Sequence, residues 1–310
     1  VASVSDVAEP EVPSPEQGGP VDDSQQVSPD LLRAWPLPQP NGTKYARGLV
    51  LVVGGSATTP GAAMLAGISA LRVGAGRLTL AVAGSVAPHV AVAVPESGVI
   101  PLPETDAGCV AGGGAGELLA RELERGDAVL VGPGLSDPEG SLQLLTEIAP
   151  LIPRETPVVL DAFGLTVLPD ADDDTRAALA GHLVATPNSG ELARILGEDE
   201  VDDVAAAVVE AARRFDAVVG VDSFVASGDR VWELPVGDTG LGTSGSGDVV
   251  AGAVLGLLGR GAGREQALVW GKYLHAAAGD ALSLRFGRVG YLAGELPAEL
   301  PLVLRSLRGD

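Results

Sequence analysis

Short runs of large apolar residues that empty into glycine constrain this chain more than any other feature. Residues 48–53 read Gly-Leu-Val-Leu-Val-Val and pass into Gly54-Gly55-Ser56; residues 128–131 read Ala-Val-Leu-Val and pass into Gly132-Pro133-Gly134-Leu135. Runs that are apolar throughout, rather than at alternate positions, mark strands covered on both faces, as in a parallel sheet. Further runs at 77–82, 157–161, 182–185 and 217–221 continue the series, and residues 96–101 read as another extended piece. Between them lie segments of helical length at 62–74, 85–94, 117–125, 141–148 and 204–214, several rich in alanine and glycine. Strand, turn and helix repeated in this way predict an α/β fold: a doubly wound, mostly parallel sheet with helices on both faces and right-handed crossovers. Residues 224–226 and 231–234, flanking Ser227-Gly228-Asp229-Arg230, predict a β-hairpin. Helices over 265–284 and 294–307 close the chain.

Composition narrows the function. With 310 residues, 46% of them hydrophobic, the chain can bury one large core or two modest ones. A net charge of −21 argues against nucleic acid, which needs a basic footprint, and against anionic membrane surfaces. Only Lys44 and Lys272 among the basic residues are lysines, and Cys109 is the single cysteine, so neither a disulfide framework nor a cysteine metal cluster is expected. No long apolar run and no basic-then-apolar leader appears, which predicts a soluble, cytoplasmic protein. Residues 1–28 carry almost no large apolar side chains and predict a disordered acidic tail. A short helix over 29–35 is ended by prolines, the main folded body begins near Lys44, and residues 29–310 are expected to form one domain.

The stretch with the most chemistry is Gly240-Leu241-Gly242-Thr243-Ser244-Gly245-Ser246-Gly247-Asp248, followed by the apolar run 249–258. Gly245 and Gly247 are able to take positive φ and carry no side chain, so several backbone N–H groups can point into one space. The helix that follows adds its unpaired N–H groups and the positive end of its dipole, which makes an anion site suited to a phosphate. A carboxylate at Asp248 would repel a resting phosphate. Its presence there suggests a task such as taking a proton from a hydroxyl; the alternative is that it only caps the helix. The loop Gly54-Gly55-Ser56-Ala57-Thr58-Thr59-Pro60-Gly61 is a second site candidate. Asp161 is open to two roles, site carboxylate or cap. Thr186-Pro187-Asn188-Ser189-Gly190-Glu191 carries the signs of a helix start.

These segments, in this order, resemble the NAD(P)H-hydrate dehydratase family, whose fold is ribokinase-like. The matching pieces are Gly54-Gly55-Ser56 with Pro60-Gly61-Ala62-Ala63, Gly76, Gly132-Pro133-Gly134-Leu135, Asp161-Ala162 with Leu165, Thr186-Pro187 with Gly190-Glu191, and Gly245-Ser246-Gly247-Asp248. They span about residues 44–307. The resemblance implies nucleotide-dependent dehydration of hydrated NADH or NADPH through a phosphorylated intermediate, with ADP or ATP as cofactor and a magnesium ion bridging its phosphates. It implies that Asp248 is the base and that Ser244, Gly245, Ser246 and Gly247 hold the transferring phosphoryl group. Ala62, Gly134 and Asn188 would contact the hydrated dinucleotide, and Gly220, Val221, Asp222, Ser223 and Phe224 the adenine nucleotide. A homo-oligomer is implied as well.

The sequence departs from the family's pattern at four places. Asn188 stands where a histidine is usual, Gly220-Val221 where Lys-Gly is usual, Phe163 where a small or acidic residue is commoner, and Ser244 where a glycine is commoner. Loss of a cation at 220, with Asp222 two residues on, is expected to weaken phosphate binding by roughly 1.5–3 kcal/mol, and neither lysine is near in sequence. Two alternatives accompany the dehydratase reading: a small-molecule kinase of the same fold, and a non-catalytic relative that binds a nucleotide or serves a partner.

Overall fold

The computed structural model describes residues 24–39, 42–234 and 239–308. In chain order the elements are β1 (Gln25–Gln26), α1 (Pro29–Ala34), β2 (Leu49–Val53), α2 (Pro60–Arg72), β3 (Arg77–Ala83), α3 (Ala87–Ala93) and β4 (Ser97–Leu102). Then come α4 (Ala115–Arg125), β5 (Ala128–Val131), α5 (Pro138–Ile148), β6 (Val158–Leu160), α6 (Ala162–Thr166), α7 (Asp173–Leu179), β7 (Leu183–Ala185), α8 (Ser189–Leu196) and α9 (Val204–Arg214). The chain ends with β8 (Ala217–Val221), β9 (Phe224–Ser227), β10 (Arg230–Glu233), α10 (Ser246–Gly259), α11 (Arg264–Phe286) and α12 (Leu296–Arg308).

The strands form one sheet in the order β1-β10-β9-β8-β7-β6-β5-β2-β3-β4. Every pairing is parallel except those of β9 with β8 and with β10. The sheet is therefore the doubly wound, mostly parallel one that the apolar runs predict. Alternate residues of each strand feed two cores. Val50 and Val52 belong to the core shared with α2, α10, α11 and α12; Leu51 and Val53 belong to the core shared with α4, α5, α8 and α9. This is why the strands read as unbroken apolar runs.

The sheet also differs from the sequence expectation at its edge. Residues 24–28, assigned above to the tail, are ordered: β1 pairs with β10 in parallel, Val27 is fully buried and Ser28 caps α1 by accepting from the Leu31 N–H. The expectation of disorder fails here because one apolar residue, Val27, suffices to anchor a strand whose main chain has a partner. Leu32 and Leu37 are buried too, so the packed body starts well before Lys44. The rest of the tail, residues 1–23, lies outside the described residues. Among the described residues no helix is long and apolar enough to cross a membrane.

Two helices position the site. A Cβ on Gly252 of α10 would lie 2.0 Å from the Ala66 carbonyl oxygen of α2, and one on Gly256 would lie 2.4 Å from that of Ala70. The contacts ascend together along both helices, so α2 and α10 run parallel with backbones almost touching. Their N-termini consequently open at the same end, above the carboxyl edge of the strands, where open α/β sheets bind ligands.

Candidate active site

The loops after β2 and β5 are laced together at the carboxyl edge. The Gly55 and Ser56 N–H groups donate to the carbonyls of Pro133 and Gly134, both at 2.8 Å, and Thr59 Oγ1 donates to the Gly134 carbonyl at 2.8 Å. A Cβ on Gly134 would lie 2.3 Å from the Thr59 carbonyl oxygen and 3.1 Å from Ala62 Cβ. Gly134 and Ala62, separated by 72 positions, thus form one surface. Only a residue without a side chain lets these two loops meet.

The candidate anion loop lies beside them. Gly245 adopts φ +91° as the N-cap of α10, and a Cβ there would lie 2.7 Å from Leu65 Cδ1 of α2. Gly247 is different. It does not take positive φ, and a Cβ on it would meet nothing within 4 Å. Its value is the open space over its Cα. The Ser246 N–H donates to the Thr243 carbonyl at 3.1 Å, so the main-chain donors left to an anion are those of Ser244, Gly245 and Gly247. Ser246 Oγ is hydrogen-bonded to His275 Nε2 of α11 at 2.8 Å, which fixes the loop to a third helix. Burial, with the neighbouring Lys272 charge, holds His275 down to about 3, so it is neutral.

Three carboxylates, from α10, the end of β6 and the start of α8, lie close enough to act on one another's charge. Asp248 is the third residue of α10, half-buried, with no side-chain capping bond on the helix start. Burial first, then Glu191, raises it to about 6. Asp161 follows β6 and accepts from Thr186 Oγ1, which follows β7, at 2.9 Å. It is pushed up to about 8 by burial, then by Glu191 and Asp248. It is the N-cap residue of α6 but makes no side-chain capping bond there. Glu191 is raised by burial and shares a capping box with Asn188: Asn188 Oδ1 accepts from the Glu191 N–H, and Glu191 Oε2 from the Asn188 N–H, both at 2.9 Å. The Thr186 to Glu191 stretch is therefore a helix start and part of the acidic cluster at once. Among the described residues no group of three or more metal-binding side chains is arranged to cage an ion. Asn188 is exposed, and the cap occupies its oxygen, which leaves its NH2 group.

The five residues at 220–224 prove to be a second hairpin. Val221 pairs with Phe224, and Asp222, at φ +42°, and Ser223 make the turn between β8 and β9. Asp222 Oδ2 accepts from Ser189 Oγ at 2.7 Å. Sequence distance hid one neighbour. Lys272 of α11 is packed over Gly220, where a Cβ would come within 3.0 Å of Lys272 Cδ. Burial lowers the Lys272 ammonium to about 8 against the pull of Asp222. Its place beside Gly220 is a correction to the expectation that this corner lacks a lysine.

The family model for NAD(P)H-hydrate dehydratase matches residues 50–302. The ADP-dependent (S)-NAD(P)H-hydrate dehydratase of Xanthomonas campestris is 42% identical over 288 residues, which cover 91% of this chain and 96% of that enzyme. The chain belongs to the NAD(P)H-hydrate dehydratase family. The ADP/ATP-dependent NAD(P)H-hydrate dehydratase of Bacillus subtilis, co-crystallised with ATP and Mg2+, is 25% identical and superposes with a TM-score of 0.75 over 92% of this chain and 99% of its own. A ribokinase-like superfamily protein from Enterococcus faecalis, 19% identical, gives a TM-score of 0.78 over 96% of this chain and all of its own and shares the fold. For this NAD(P)H-hydrate dehydratase family member, the ribokinase-like sheet brings Asp248, the anion loop, the Ala62–Gly134 surface and the Gly220 corner to one edge.

Proposed function

We propose that this protein restores NADH or NADPH from the hydrated forms at the expense of ADP or ATP. The observation that carries this reading is Asp248, a half-buried carboxylate placed in the first turn of the helix whose N–H groups would receive a phosphoryl group, and raised to about 6. A base of that strength takes a proton from a hydroxyl near neutral pH far better than an ordinary aspartate.

The ring hydroxyl of the hydrated nicotinamide attacks the terminal phosphorus of the nucleotide as Asp248 takes its proton. The phosphorus–oxygen bond to the nucleotide breaks, and the N–H groups of Ser244, Gly245 and Gly247 stabilise the charge on the transferring group. Loss of phosphate from the ring carbon and of a proton from its neighbour then re-forms the double bond. Ala62 and Gly134 leave room for the dinucleotide, and the Asn188 NH2 group offers it a donor where the family's pattern has a histidine. Mg2+ ordinarily binds through one or two carboxylates, waters and substrate phosphates, and the half-buried Glu191, whose charge acts on both Asp161 and Asp248, would supply such a carboxylate. Bound there with the nucleotide, the ion would neutralise phosphate charge.

The test is recovery of NADH absorbance from hydrated NADH by the purified full chain with ADP or ATP and Mg2+. Asp248→Asn, nearly the same shape, is expected to lower kcat by roughly 10^2–10^4-fold with melting temperature preserved. An inactive wild-type protein, or an Asp248→Asn variant as fast as wild type, would overturn the reading.

A further inference from the structure

Lys272 is one of two lysines in a chain of net charge −21, and it does not lie out on the surface as lysines usually do. It leaves α11 half-buried, and its methylene stem passes beside Leu268 across the bare Cα of Gly220. Its charge acts on Asp222 at the β8–β9 turn and on His275 one helical turn further along α11. His275 holds Ser246 of the anion loop. Among the described residues Lys272 has neither an ion pair nor a hydrogen bond; the recorded ion pairs all belong to arginines. A largely desolvated ammonium without a fixed partner is costly, and a chain this rich in acids had many ways to pair it.

The geometry points to Lys272 as the cation that grips the nucleotide's phosphates, reaching them from α11 through the space that Gly220 leaves open. This rests on the function proposed above. Two features fit together only in this way. Gly220 faces the α11 layer, since its neighbours Val219 and Val221 belong to the opposite core, so a side chain at 220 and the Lys272 stem would compete for one volume. The lysine missing from the strand is therefore supplied by the helix packed over it, and the smallness of residue 220 is the condition for it. The ammonium and the N–H groups of Ser244, Gly245 and Gly247 then address the same polyanion from two sides, a point charge complementing fixed dipoles.

Calorimetric titration of the full chain with ADP and with ATP–Mg2+ tests the assignment, with Lys272→Met, Lys44→Met and the double variant Gly220→Lys/Lys272→Met. The first is expected to raise the nucleotide Kd about tenfold or more while the affinity for hydrated NADH stays within twofold, and Lys44→Met to change neither. Moving the lysine to position 220 in the double variant is expected to recover most of the lost affinity, a result no packing role of Lys272 would give. Unchanged nucleotide affinity in Lys272→Met overturns the assignment. So does a parallel fall of both ligand affinities and the melting temperature in both Lys272 variants, the mark of a structural residue. A wild-type protein that binds neither nucleotide fails the functional reading itself, whereas nucleotide binding that survives in Lys272→Met fails this inference alone.

Discussion

A carboxylate serves as a base near neutrality only when its surroundings disfavour its charge, and Asp248 owes its pKa of about 6 first to burial and then to Glu191. Below that pH the group is protonated and unable to accept the hydroxyl proton, so kcat/KM is expected to rise with pH through a limb near 6. Glu191→Gln removes the negative neighbour, which favours the charged form, and should move the limb to lower pH whatever it does to the maximal rate. A limb that keeps its position in that variant would show that Glu191 does not tune the base. The same raised pKa works against the folded state: the contribution of Asp248 is fully present below its unfolded value near 3.8 and is lost as pH rises through about 6. Asp161, held at about 8, stays largely protonated where Asp248 is already ionised. Two aspartates within one cluster thereby hold different protonation states at neutral pH.

Between elements, the decisive contact is made by glycines. Because Gly252 and Gly256 let α10 lie against the carbonyls of Ala66 and Ala70, the anion loop and the Ala62 surface share one end of the fold. Gly252→Ala would place a methyl 2.0 Å from a backbone oxygen that cannot rotate away. It is expected to cost about 1–3 kcal/mol in denaturant unfolding and to lower dehydration activity as well. Gly247→Ala has free space for its methyl and is expected to leave stability within about 0.5 kcal/mol while impairing activity, because the methyl would enter the volume proposed for the phosphate. Equal destabilisation by the two would refute this division between a packing glycine and a binding one. Such contacts also explain what the sequence could convey. The strands were legible, since Leu49–Val53 or Ala128–Val131 must be apolar on both faces, and so was the loop from 244 to 248, where glycine spacing itself is the signal. The short helices Ala162–Thr166 and Asp173–Leu179 were not, being too brief for a periodic pattern. Nor was the meeting of Gly220 with Lys272, because no local pattern records a contact across 52 positions of chain.

At the scale of the molecule, the sheet's late-sequence edge is closed by its earliest described residues. In sequence, residues 24–28 read as tail and 29–35 as a short helix, and the apolar side chains of 24–39 are put to use: Val27 and Leu32 are fully buried, Leu37 nearly so, and Trp35 stacks on Trp232 of β10 with ring centroids 6.1 Å apart. The Trp35 carbonyl accepts from Trp270 Nε1 at 3.0 Å and from Gln266 Nε2 at 3.2 Å, both on α11. This strap thus bears on the helix that carries Lys272 and His275; Trp270 is only two residues before Lys272, but about 200° around the helix from it, on the opposite side. Its main effect should accordingly be on stability and only weakly on the site. Leu32→Ala removes a fully buried side chain and is expected to cost about 2–5 kcal/mol, read as a lower urea midpoint with an unchanged slope. At a temperature where the variant remains folded, its KM for nucleotide should stay within about twofold of wild type. A variant with a wild-type midpoint would mean the strap is not part of the cooperative fold. One with intact stability but a raised KM would mean instead that the strap acts through α11 on nucleotide binding.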